Sequence, residues 1–81
     1  MELKETAALM DSDDYQDRFR AEYYQTVIRY GKLMGMLEKW DKGELGFVPD
    51  CPREIYNIQA KAMADYIAVL HVRARMECIE V

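Results

Sequence analysis

The stretch from Phe19 to Trp40, FRAEYYQTVIRYGKLMGMLEKW, decides the fold. Phe19, Tyr23, Thr26, Tyr30, Leu33, Leu37 and Trp40 recur at alternating spacings of four and three, the seam of a long coiled-coil-like α-helix. Two residues argue with that pattern. Gly31 and Gly35 stand four apart inside the helix, each costing about 1 kcal/mol against alanine. Glycines so spaced share one helix face and let a neighbouring helix, of the same or another subunit, come close; the alternative is that both are merely tolerated.

Upstream of this stretch, DSDDYQD supplies the helix start. Asp11 or Ser12 is the N-cap, and Asp13, Asp14 and Asp17 fall in the first turns, where carboxylates favour the positive end of the helix dipole. The helix is therefore predicted over about residues 12–41. Residues 1–11, with no clear terminus signal, form an N-terminal arm, either frayed or a short helix. Downstream, DKGELGFVPDCP carries two glycines and two prolines and is a loop over 42–51. Its Leu45, Phe47 and Val48 are apolar enough to fold over the open end of a bundle. Pro52 suits the first position of a second helix, predicted over about 52–78, with Glu54 in its first turn.

The second helix has two apolar stripes. Ile55, Gln59, Ala62, Tyr66, Val69, Arg73 and Met76 form a seam, and Tyr56, Ala60, Met63, Ile67, Leu70 and Ala74 run beside it. The first helix likewise adds Tyr24, Val27, Ile28 and Met34. Two helices packed together each bury one stripe, so the surplus apolar surface requires another copy or another protein. The expected fold is all-α: an antiparallel two-helix hairpin over 12–81 that self-associates into a helical bundle or ring. A chain of 81 residues buries little surface alone, which also favours a homo-oligomer.

Composition excludes several functions. The net charge is −4, and acid concentrates near the start at Glu2, Glu5, Asp11, Asp13, Asp14 and Asp17; binding along a long nucleic acid needs a basic stripe instead. No hydrophobic run reaches the length of a membrane span and no signal-peptide core is present, so no membrane is expected and a reducing cytoplasm is. Cys51 and Cys78 flank the second helix, about 40 Å apart along its axis, too far to bridge within one chain. His71 is the single histidine. No zinc spacing, phosphate loop or nucleophile elbow occurs, and the DSDD run lacks the glycine and distal glutamate of a calcium loop. Neither an enzyme nor a metal or other cofactor is expected.

Binding residues are the remaining chemistry. Arg18, Glu22, Gln25, Arg29 and Lys32 make a polar stripe along the first helix, either a solvated flank or a set that reaches a ligand at a subunit junction. Arg73 occupies a seam position where an apolar residue belongs. It either pairs with Glu22 and fixes register, or presents a guanidinium to phosphate with Tyr23, Tyr24 or Tyr66 offering a ring to a base. Lys61, His71 and Arg75 fall on the outer, solvated face.

The run from Glu22 to Leu33, with Glu22, Tyr23, Arg29, Lys32 and Leu33 at its fixed positions, and the run from Gln59 to Arg73, with Gln59, Ala62, Met63, Tyr66, Leu70 and Arg73, resemble a family of small phage and prophage proteins named after a gene product of a crAss-like phage. In architecture the chain is also similar to the phage anti-CBASS and anti-Thoeris helical-hairpin sponges, oligomers that sequester cyclic nucleotide or cyclic ADP-ribose immune signals without cleaving them. That likeness implies ligand pockets between packed hairpins, with arginine or lysine on phosphate and an aromatic ring on the base. The residues offered for those roles are Arg29, Arg73, Tyr23, Tyr24, Lys32 and Tyr66. The function implied is a phage-encoded, non-enzymatic anti-defence protein in the cytoplasm of the infected bacterium. The alternatives are a protein-binding inhibitor of a host defence protein, in the manner of an anti-CRISPR, and a structural phage accessory protein.

Overall fold

The computed structural model describes residues 1–81 as an all-helical chain. A 3-10 turn at Leu3–Glu5 leads into a short helix α1, Thr6–Met10, followed by two long helices, α2 at Tyr15–Asp41 and α3 at Arg53–Met76.

The aspartate cluster acts as a cap, placed later than expected. Asp14 accepts the backbone N–H of Gln16, so α2 begins at Tyr15 rather than near Ser12. Ser12 works beside the cap: its Oγ accepts from the Asp14 N–H and donates to Asp17. Leu3 to Met10 are helical, with Thr6 buried and Leu3 and Leu9 half-buried. Glu2 and Glu5 close a reciprocal capping box, and the Thr6 hydroxyl donates to the Leu3 carbonyl at 2.7 Å. Thr6 is buried, and this N-terminal segment packs against α2.

Residues that meet across α2 and α3 fall in number on one helix as they rise on the other: Tyr15 with Glu77, Tyr23 with His71, Trp40 with Tyr56, Asp41 with Arg53. The two helices therefore run in opposite directions. The core lies at the end away from the loop, where Phe19 and Tyr23 pack with Leu70, Ala74 and Ile79, flanked by Tyr24, Val27 and Ile67.

The face that α3 turns to α2 corrects the predicted seam. Tyr56, Ala60, Met63, Ile67, Leu70 and Ala74 are buried or half-buried, whereas Ile55, Tyr66, Val69 and Met76 are exposed. Both stripes have helical spacing, but the expected one carries Gln59 and Arg73, and the one used carries no charge. Burying a polar or charged side chain without a partner is costly, so the uncharged stripe wins. The loop expectation is also corrected. Leu45 is half-buried in a recess beside Trp40, but Phe47 and Val48 are exposed, because Trp40, Tyr56 and Arg53 already close that end by packing on one another.

Both long helices end in the same way. Gly43, in the left-handed region, donates to the Trp40 carbonyl while Glu44 donates back to Lys39. Cys78, also left-handed, donates to Arg75 while Ile79 donates to Ala74. These are Schellman ends, and the second seats Ile79 in the core.

Candidate functional site

The largest concavity, about 600 Å³, lies between the last turns of α2 and the first turns of α3. That volume falls in the range of small-molecule sites. Gly31, Met34, Gly35, Leu37, Glu38 and Asp41 form the α2 wall, and Arg53, Asn57 and Ala60 the α3 wall.

Arg53 is the centre of its chemistry. The side chain leaves the first residue of α3, where a cation opposes the helix dipole, and Asp41 offsets that by pairing with it through both carboxylate oxygens. Its Nε donates to Asn57 Oδ1 at 2.9 Å, and the guanidinium stands 5.4 Å from the centre of the Trp40 ring. Trp40 in turn meets Tyr56 edge to face at 5.9 Å. The hydrogen bond from Arg53 holds the Asp41 carboxyl below its ordinary value, and the same bond raises the guanidinium further. Of the five N–H donors of an arginine, three are engaged with Asp41 and Asn57. Two are left for a ligand, in a side chain whose orientation is already fixed.

The two glycines supply the open wall. A Cβ built at Gly31 or Gly35 would meet nothing within 4 Å, so neither one admits a neighbouring helix of this chain. What they do is bare a strip of helix backbone to the groove. Met34 and Ala60 add apolar surface, and Glu38, bonded to Lys42 at 3.1 Å, adds an acceptor at the rim.

None of the six residues singled out in the sequence lines this groove. Arg73 is tied down at the other end of the molecule: its guanidinium lies 5.0 Å from the Phe19 ring centre, Nη2 donates to the Tyr15 hydroxyl at 2.9 Å, and Nε donates to Glu77 at 3.2 Å. Its ion-pair partner is thus Glu77, the residue that caps its own helix, not Glu22. Tyr23 is buried, and the half-buried Tyr24 meets its ring at 5.4 Å. His71 is exposed, as expected, and its Nε2 also bonds the Tyr23 hydroxyl at 2.8 Å. Tyr66 lies on the exposed face of α3. Arg29 is exposed on α2, and Lys32 lines two shallow recesses, one with the N-terminal residues and one with Gly35 and Phe47.

Arg53 and Asp41 escaped the sequence reading because each looks like ordinary helix-end polarity. The available signal was electrostatic: an arginine directly after Pro52 sits at the wrong pole of its helix and needs a carboxylate nearby. No helix is long and apolar enough to cross a membrane, and no cluster of three or more histidine, cysteine or carboxylate side chains has the geometry to hold a metal ion.

No curated protein and no solved structure matches the chain. A family sequence model does match, over residues 13–76, from the residue before the cap of α2 to the last residue of α3. That span covers most of the sequence, and the chain belongs to the Sequestin family.

Proposed function

We propose that the protein is a phage-encoded binding protein that captures a cyclic nucleotide signal of host defence in the infected cell's cytoplasm and holds it without turnover. The family name speaks for sequestration of some molecule. The observation that carries the small-anion reading is Arg53, a guanidinium fixed by Asp41, Asn57 and Trp40 at the edge of a groove with a bare glycine wall. A phosphate would accept from one of the two free N–H donors, one left on each terminal nitrogen and pointing away from the edge that Asp41 occupies, in a single charge-assisted hydrogen bond. A base would lie along the backbone of Gly31 and Gly35, against Met34 and Ala60. Lys32, which shares a neighbouring recess with Gly35, is the further cation on that helix.

The test is thermal stability in the presence of cyclic mono-, di- and trinucleotides and cyclic ADP-ribose isomers, followed by heat release and analysis of the ligand. Binding to the native state alone, at a concentration 100 times the dissociation constant, adds about 2.7 kcal/mol of stability. The released ligand is expected intact. A melting point unmoved by the whole panel, or a ligand recovered in cleaved form, refutes the reading.

A second reading, an inhibitor that binds a host defence protein, is favoured by the exposed loop residues Phe47 and Val48. It predicts that Phe47→Ser abolishes capture of the host protein while leaving any nucleotide response unchanged.

A further inference from the structure

α3 is apolar on two nearly opposite sides. One side packs on α2; the other, about 150° around the axis at 100° per residue, carries Ile55, Ile58, Ala62, Val69, Val72 and Met76 to solvent. Ile58 is 65% exposed, Val72 57% and Met76 79%, and α2 reaches none of this stripe. Its spacing is that of a heptad: Ile55, Ala62, Val69 and Met76 at one position, Ile58, Asp65 and Val72 at the other.

The total accessible surface gives the size of what is missing. The chain exposes 5838 Å², where a folded monomer of its mass exposes about 5,050 Å². The surplus, about 800 Å², is what one partner contributes to a standard stable interface.

We propose that this outer face of α3 binds the same face of a second copy, the two helices antiparallel about a two-fold axis level with Met63 and Ala64. In that register Ile55 meets Val72 of the second copy, Ile58 meets Val69, and the small side chain of Ala62 leaves room beside Asp65. Charge selects the register. Glu54 then approaches Arg75 of the second copy, twice over by symmetry. Of the two heptad-compatible antiparallel registers seven residues away, one sets Lys61 against Arg75 and the other sets Lys61 against its own counterpart. Asp65, already bonded by Lys61 at 2.9 Å, is the one charged member of the seam, a position where polar residues fix register at some cost in stability.

The experiment is light scattering or sedimentation of the full chain over a dilution series, without nucleotide, so that it stands apart from any ligand result. The expected mass is twice the 9.5 kDa of one chain. Val69→Asp, on the exposed stripe and outside the core, is expected to halve that mass with the helical circular dichroism unchanged. Orientation is read from the native thiols, since Cys51 and Cys78 are both exposed, one just ahead of α3 and one just past its end. They are too far apart within one chain for a short bismaleimide to span, but in the antiparallel pair Cys51 of one copy lies level with Cys78 of the other. A covalent dimer whose peptide map joins Cys51 to Cys78 is expected. A monomer at every concentration, a doubled mass that survives Val69→Asp, or cross-links joining only like cysteines would each overturn the proposal.

Discussion

The Tyr23 hydroxyl lies 2.8 Å from Nε2 of His71, and the two rings meet edge to face at 5.0 Å. A tyrosine at the edge of the core thus reaches through to the rim of α3 and finds a polar partner there. Buried hydroxyls need such a partner, and a typical one contributes about 1 kcal/mol net. Tyr23→Phe is expected to lower unfolding stability by about that much while keeping the ring packed. A double-mutant cycle with His71→Leu in urea should return a coupling near the same value. Additive single effects would mean that the pair interacts by packing alone.

Cys78 holds a backbone conformation that costs a side-chain-bearing residue about 1–2 kcal/mol, at φ 57° where glycine is the usual choice. Nothing is gained from the thiol there: it is exposed and free. Cys78→Gly removes the strain but loosens the unfolded chain, so a net stabilisation of about 0.5–1 kcal/mol is expected. The same Schellman end seats Ile79 in the core, and Ile79→Ala should cost about 2–4 kcal/mol.

Acid should loosen both ends of the α2–α3 pair. Glu77 is held below its ordinary 4.5, first by the hydrogen bond from Tyr15 and then by Arg73, and Asp41 below its ordinary 3.8 by Arg53. A carboxyl whose folded pKa is depressed contributes stability above its unfolded value and loses it as the pH falls through the folded one. Tyr15 runs the other way. The bond it donates to Glu77 raises it above 10.0, so its contribution is complete below that value and lost as the pH rises through the folded one. The melting temperature is expected to fall below about pH 4.5, and Glu77→Gln together with Asp41→Asn to flatten that limb. An unchanged acid limb in the double variant would place the titrating groups elsewhere.

The helices were legible in the sequence because capping, apolar spacing and the glycine and proline loop all agree from Tyr15 onward. Which face of α3 packs inward was not, because two stripes have the same period. Periodicity ranks them equally, and the decision rests on Gln59 and Arg73, whose cost appears only when a partner surface is specified. The candidate groove was half legible: Gly31 and Gly35 stood out as unexplained, but Arg53 and Asp41 are twelve residues apart on different helices. Their pairing depends on how the loop returns the chain. Arg73 stood out for the right reason, a charge on an apolar stripe, and the structure answers it with Tyr15, Glu77 and the Phe19 ring rather than with open space.

The glycine wall separates stability from binding more sharply than any charge does. A methyl group at Gly35 would touch nothing in the chain, so Gly35→Ala meets no steric cost. An alanine in a helix interior is worth about 1 kcal/mol over glycine, and the variant should therefore melt higher. The added methyl projects from the wall where a base would lie, so nucleotide affinity should drop, by about tenfold for each 1.4 kcal/mol by which the methyl weakens binding. Arg53→Gln is expected to weaken the same ligand while lowering stability slightly, since Asp41 loses its partner. Opposite movements of stability with equal movements of binding would mark the groove as the site. A Gly35→Ala protein that melts higher and binds nucleotide unchanged would move the ligand away from this wall and leave the two glycines without a role in capture.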